Sequence, residues 1–336
     1  MLSHLHTLCS LPGVSGDEGA VRNYILNHSA PHACTTDALG NVIVRKKGRR
    51  KPGKTVLLAA HMDEVGFIIT SITDEGYLKF ATVGGIDRRV IIGKRVQVGP
   101  QAVPGIIGIA PVHLTKMEDR KRVPEVEDLY IDIGAENAER AKARISPGDT
   151  ACFDASLFEM GNSIAARALD DRIGCAVLLQ LMEEDLPIDI CFAFTVQEEI
   201  GCRGAKTVSF QVRPDVALIL EGTPAADLPG VAPDKQICRL GAGVVVPFMD
   251  GGTVYDRELT SQITALADRL EIPWQTKNVI AGGTDASAVQ RSGAGALVAA
   301  LAAPVRNLHT GCNVVNIQDL EHLLKLTQAV LSEING

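Results

Sequence analysis

The chain has 336 residues, 46% of them apolar and 22% charged, which excludes a disordered polymer and points to more than one core. Its 33 basic and 40 acidic side chains leave a net charge of −7, which argues against nucleic acid or an anionic membrane as the main partner. No apolar run reaches the ~18 residues that a membrane-crossing helix needs. The opening "MLSHLHTLCSLPG" lacks the basic and then apolar pattern of a secretory signal, and the eight scattered cysteines show no C-x-x-C spacing, so reduced, buried thiols in a cytoplasmic protein are expected.

In chain order, "SGDEGAVRNYILNHSA" predicts a helix capped by Asp17. "NVIVRKK" and "KTVLLAAHMD" predict strands, the second apolar enough to be buried on both faces. The basic run from Arg45 to Lys51 reads as a solvated hairpin tip. From about Gly66 to Asp154 the texture changes to short strand-like runs punctuated by Gly and Pro, with one helical stretch, "NAERAKARI". Residues 67–157 are therefore expected to form an inserted β-rich module, a small barrel or PDZ-like fold. Residues 1–66 and 158–336 are expected to form the main α/β unit, a doubly wound mixed sheet with helices on both faces. There "DDRIGCAVLLQLMEE" predicts an amphipathic helix, "IDICFAFTV" and "PDVALIL" buried strands, and "DRELTSQITALADRL" and "NIQDLEHLLKLTQAVLSEI" later helices.

Several apolar strands end in residues that bind metals. "LLAAHMDE" places His61 at a strand end with Asp63 two residues on; "RALDDR" places Asp170 and Asp171 where a helix begins; "FTVQEE" ends in Glu198 and Glu199; "ALILEG" ends in Glu221; His309 follows the apolar run "GALVAALAAPV". In a doubly wound sheet the carboxyl ends of the strands line one crevice. Each piece alone has a plainer reading: a hydrogen-bonded structural histidine, an acidic helix cap, an ion-paired loop glutamate. Together, two imidazoles and several carboxylates at one edge would repel strongly unless divalent cations were present. Imidazole with carboxylate suits zinc, cobalt or manganese.

The segments "AAHMDEVG", "ALDDRIG", "VQEEIGCRGA" and "GGTDA", followed by His309, resemble the di-metal aminopeptidase family of glutamyl aminopeptidase, the deblocking aminopeptidases and the tetrahedral (TET) aminopeptidases. The resemblance covers nearly the whole chain, insert included. It implies two divalent ions (Zn, Co or Mn), with Asp170 bridging, His61 and Glu221 completing one site, and Glu199 and His309 the other. It further implies a cis bond at Asp170–Asp171, Asp63 orienting His61, and Glu198 as the general base that activates a bridging hydroxide. Short peptides are the implied substrates. Self-association through the insert, to a dodecamer in many members, is the implied assembly. Glu221 stands where many members carry Asp, and "TGCNVVN" after His309 departs from the family pattern.

Thr284 and Asp285 are expected either to shape the substrate pocket or, for Asp285, to cap a helix. Cys202 and Cys312 read as small fillers beside the ligands, and His113 as a surface residue of the insert. Arg88, Arg89, Arg203, Arg291 and Arg306 are the candidates for a basic specificity residue. Two rivals remain at this point. A glycoside hydrolase would use two carboxylates across a sugar cleft, though 4% aromatics and one Trp supply few stacking platforms. A non-catalytic peptide-binding shell would keep the fold without the chemistry.

Overall fold

The strands of this computed structural model, which describes residues 1–30 and 32–334 without the side chain of Asp119, fall into two systems; residues 335 and 336 lie outside the described residues. In chain order the strands are β1 (Ala33–Thr36), β2 (Val42–Lys46), β3 (Val56–His61), β4 (Gly66–Ile72), β5 (Leu78–Val83), β6 (Arg95–Val98), β7 (Val103–Ile109), β8 (Leu129–Asp132), β9 (Thr150–Phe153), β10 (Phe158–Met160), β11 (Ser163–Ala166), β12 (Ile190–Thr195), β13 (Val216–Pro224), β14 (Val244–Val245), β15 (Trp274–Gln275), β16 (Leu297–Arg306) and β17 (Asn313–Asn316). Strands β4 to β9 close a barrel in the order β4-β5-β8-β7-β6-β9. The others form a mixed sheet whose main path is β1-β2-β12-β3-β13-β16-β17-β11-β10.

The centre of the sheet is parallel. β3 lies between β12 and β13, and β13 pairs β16. These strands are apolar on both faces because both are covered. The helices are α1 (Leu2–Ser10), α2 (Gly19–Ser29), α3 (Ala138–Lys142), α4 (Leu169–Glu183), α5 (Arg203–Val212), α6 (Arg257–Arg269), α7 (Ala286–Gln290) and α8 (Ile317–Glu333). Apolar residues of α1, α2, α4, α6 and α8 share one core with one face of the sheet. Residues of α5 and α7 share a second core with the other face. The chain leaves β3 for β12 on one side and returns to β13 on the other. That reversal opens a crevice at the carboxyl ends of the strands.

Four expectations need correction. Asp17 does not cap α2; the residue at that position is Glu18, which makes no side-chain cap bond, and Asp17 instead accepts from the Thr150 hydroxyl of the barrel, 2.6 Å away. The basic run is not a hairpin tip, because β12 lies between β2 and β3; Arg45 and Lys46 end β2 beside β12, and the rest is a connection toward β3, with Lys47 paired to Asp189 at 2.9 Å. Helix α4 is not amphipathic. It is buried on nearly every side, packed against β3, β13 and α1, and even Arg172 within it is fully buried, donating to the Leu8 carbonyl. Glu221 does not end its strand, since β13 continues to Pro224 beside β16. Its pairing with β3 stops at Ile219, so Glu221 lies past the last paired residues, level with the end of β3.

Candidate metal centre

The register of the parallel strands assembles the site. Thr195 pairs with His61, and Ile219 with Ala59, so Glu221 stands level with His61. His61 Nε2 lies 3.4 Å from Asp170 Oδ1 and 3.5 Å from Glu221 Oε2. His309 Nε2 lies 3.5 Å from Asp170 Oδ2 and 3.2 Å from Glu199 Oε2. The two oxygens of Asp170 thus face two different imidazoles. Each ring is held from behind: His61 Nδ1 donates to the Asp63 carbonyl at 3.1 Å, and His309 Nδ1 donates to the Gly85 carbonyl of the barrel at 2.8 Å.

The acidic pair at the start of α4 divides its labour. The peptide between Asp170 and Asp171 is cis, and both residues have non-helical φ/ψ, so the regular helix begins after them. Asp171 accepts from the Gly174 amide at 2.8 Å, as a cap does, and from the His61 amide at 3.3 Å. Asp170 is left free to face the imidazoles. The pair of glutamates divides in a similar way. Both sit in the turn after β12, whose backbone is pinned by the buried Asp63. That carboxylate accepts from the Glu198 amide at 2.9 Å, the Glu199 amide at 3.1 Å and the Ser15 hydroxyl at 2.6 Å. It lies 3.5 Å from His61 Nδ1, farther than its own carbonyl, so its shortest contacts are to the turn and to Ser15. Glu199 then meets His309, while Glu198 lines the open cavity and receives a weak bond from the Cys202 thiol at 3.4 Å.

So many ionisable groups in one buried place perturb one another. Burial and neighbouring carboxylates push Glu198 and Asp171 well above the carboxylate range and Glu221 up to about 8. Burial opposes charge on His61 and His309, yet the adjoining carboxylates outweigh it, raising His309 to about 11. Asp170 Oδ1 is buried and has no hydrogen-bond partner. A buried lone carboxylate oxygen between imidazoles and acids is what a cation site looks like before the cation is counted. The groups His61, Asp170, Glu199 and His61, Asp171, Glu221 each bring ligand atoms within 4.8 Å of one another.

All seven residues expected at the centre, His61, Asp63, Asp170, Glu198, Glu199, Glu221 and His309, are brought together. A cavity of about 560 Å³ opens in front of them. Thr284 lines it, but Asp285 does not. Nor does Asp285 cap α7 through its side chain; it accepts from the Thr195 hydroxyl at 2.5 Å and sits within 4.8 Å of Glu198 and Cys202. The five candidate arginines are elsewhere: Arg88 pairs with Glu125, Arg89 with Asp87 and Arg306 with Asp227, while Arg291 donates to the Ser287 carbonyl and Arg203 is exposed. The cation that lines the cavity is Lys277, which sequence reasoning missed; burial holds its ammonium below the usual range against the pull of Asp250 and Glu221. Its only local signal is a single Lys ahead of the Gly-rich "AGGTDA".

A doubly wound sheet whose carboxyl rim gathers two imidazoles and five carboxylates has the donor set of a metallohydrolase of the α/β class, which a glycoside hydrolase's simple acid pair does not need. The family described as M42 glutamyl aminopeptidase matches residues 40–326, and the chain belongs to that family. It is a hydrolase of the metallo-exopeptidase kind. A putative aminopeptidase of Acetivibrio thermocellus is 35% identical over 97% of this chain and 97% of its own length. A lysyl aminopeptidase of Pyrococcus furiosus is 30% identical over 96% and 94%. The solved TET1 peptidase of Pyrococcus horikoshii, described as assembling into a tetrahedron or a large octahedral shell, superposes with a TM-score of 0.86 at 35% identity, covering 99% of each chain.

Proposed function

We propose that the chain releases single N-terminal residues from short peptides at a centre for two divalent ions, zinc, cobalt or manganese. The observation that carries this is the split of Asp170, one oxygen toward His61, which also meets Glu221, and the other toward His309, which also meets Glu199. His61, Glu221 and Asp170 would hold one ion, and Glu199, His309 and Asp170 the other. The unpartnered Asp170 oxygen and the mixture of imidazole with hard oxygen fit such ions. Bound there, they would supply Lewis acidity, lowering the pKa of a water and polarising a peptide carbonyl.

The residues of the chain do the rest. Glu198 takes the proton from the attacking water and returns it to the leaving amine. Asp63 keeps Glu198 and Glu199 apart in direction by gripping both amides. Thr284 lines the substrate side of the cavity; Asp285 backs Glu198. We assign residues 67–157 to self-association into a dimer or a dodecamer, supported by the exposed Val112, Leu114 and Met117 on the barrel. Eight free cysteines and the absence, among the described residues, of a helix able to cross a membrane are compatible with a cytoplasmic setting.

The test is release of amino acids from a panel of aminoacyl-p-nitroanilides and short peptides by the metal-loaded protein, the chelated protein and Glu198→Gln. Metal-dependent release that Glu198→Gln abolishes while retaining its ions is the expected result. A fully loaded protein that releases nothing would overturn the reading in favour of a peptide-binding shell.

A further inference from the structure

Three side chains beside the proposed two-ion centre hold no ion of that centre: Glu198 in the turn after β12, Cys202 at the start of α5, and Asp285 just ahead of α7. Local backbone brings the first two together, since the Cys202 amide donates to the Glu198 carbonyl at 2.9 Å. Helix α7 packs against α5 and adds the third. Each side chain offers one ligand atom, and the three atoms lie within 4.8 Å of one another. The Cys202 sulfur stands 3.4 Å from Glu198 Oε1, close to the separation of about 3.5 Å that sulfur and oxygen take up on one tetrahedral ion. Asp285 is 1% exposed; its Oδ2 accepts from the Thr195 hydroxyl, while its Oδ1 is buried without a partner. An orphaned carboxylate oxygen in such a cluster marks a place where a cation belongs. The thiol is no ready nucleophile, because burial and the charges of Asp285 and Glu198 hold it protonated.

We propose that Glu198, Cys202 and Asp285 form a further, inhibitory site for a thiophilic divalent ion, cadmium or excess zinc, which disables the enzyme by occupying Glu198. The site stands on its own geometry; the inhibition rests on the reading of Glu198 as the general base. On binding, the ion forms a bond to the Cys202 sulfur, the thiol proton leaves to solvent, and the two carboxylates offset the added charge. A carboxylate held by the ion cannot take the proton of the attacking water. Softness separates this place from the two-ion centre. That centre presents imidazole and carboxylate, whereas this cluster presents sulfur, so cadmium and zinc are favoured here over manganese, which prefers oxygen. Cys202 lines the catalytic cavity, so an ion reaches it by the path that substrate takes. A plainer role for Cys202 is packing, its thiol donating to Glu198 and to the Thr284 carbonyl, each at 3.4 Å; serine in its place would then leave the response to cadmium as it is.

The experiment titrates cadmium into the manganese-loaded full chain. It follows the sulfur-to-cadmium absorption in the ultraviolet, the manganese content by elemental analysis, and the rate on aminoacyl-p-nitroanilides relative to each protein's own rate without cadmium. In the native protein the absorption should saturate at one cadmium per chain with manganese retained, and activity should fall in step. Cys202→Ser should lack the absorption and need at least about 10-fold more cadmium for the same fractional inhibition. Asp285→Asn should form the absorption with weaker affinity. An absorption unchanged in Cys202→Ser, equal inhibition of the two proteins, or cadmium that expels manganese before any absorption appears overturns this inference and leaves the aminopeptidase reading intact. If the loaded protein releases no amino acid, that reading and the inhibition fall, while the absorption titration still decides whether the site exists.

Discussion

The barrel buries Phe67 edge-on against Phe80 and Phe153, with ring centroids 5.2 and 5.3 Å apart, and leaves its charges outside, where Arg88 meets Glu125 and Arg89 meets Asp87. The carboxyl rim of the large sheet does the reverse. It buries His61, Asp63, Asp170, Asp171 and Glu221 together and keeps them tolerable only through mutual bonds and, on our reading, cations. One region gains stability from apolar packing; the other gives up stability for chemistry. They touch at few points: the Gly85 carbonyl holds His309, and the Phe153 ring lies so near Gly311 that a Cβ there would come within 3.1 Å of it.

The largest effect separating the two regions belongs to Glu198. Glu198→Gln should lower kcat by about 10²- to 10⁴-fold with metal content, measured by elemental analysis, and unfolding midpoint both unchanged. A loss of bound metal along with activity would mean that Glu198 helps hold an ion rather than moving a proton.

In the barrel the expected response is the opposite. Phe67→Ala removes a ring that is fully buried and should cost about 3–5 kcal/mol of stability, read from a urea titration, while the protein that remains folded keeps its kcat. If kcat per folded molecule fell with stability, the contacts through Gly85 and Phe153 would be coupling the two regions more tightly than their number implies.

Asp63 tests the rim from within. Asp63→Asn keeps the shape but turns an amide NH2 toward donors, the Glu198 and Glu199 amides or the Ser15 hydroxyl. We expect metal affinity or activity to fall about 10- to 100-fold, with little change in the barrel's protection from hydrogen exchange. An unaltered affinity would reduce Asp63 to an ordinary buried turn residue.

The same contrast explains what could be read from the sequence. That the candidate residues would share one rim was legible because each stands beside an apolar strand or at a helix start, and because parallel strands in register must deliver their ends to one edge. Glu221 reaches the rim although it lies inside its strand, because placement there depends on register and not on the strand boundary. Helix α4 is not amphipathic as its pattern suggested, because Arg172 and Gln180 in its body are absorbed by partners far away in sequence: Arg172 by the Leu8 carbonyl, Gln180 by the N-terminus. Asp17 was misread as a cap because its partner, Thr150, belongs to the barrel. Lys277 and the amide contacts of Asp63 were invisible for the same reason. Local pattern reports which residues carry chemistry; it does not report which distant residue completes a hydrogen bond.

Behind the rim lies a network that belongs to neither region, and it carries the smallest effect. Asp37 accepts from the amides of Leu39, Gly40 and Asn41, and from the side chains of Asn41, Thr207 and Gln211. Asn41 in turn accepts from the Val196 amide at 2.9 Å, two residues before Glu198. Burial pushes the Asp37 carboxyl up, but the donors around it outweigh burial and hold it below its ordinary value. A carboxylate depressed in the folded state contributes stability above its unfolded pKa and loses it as pH falls through the folded value. Asp37→Asn should therefore be less stable by about 1–2 kcal/mol at pH 7, with the gap to the native protein closing below about pH 4, measured by urea unfolding across that range. A gap that stayed constant down to the lowest pH at which the protein folds would assign the stabilisation to shape rather than charge, and would place Asp37 with the barrel's kind of packing instead of the rim's kind of electrostatics.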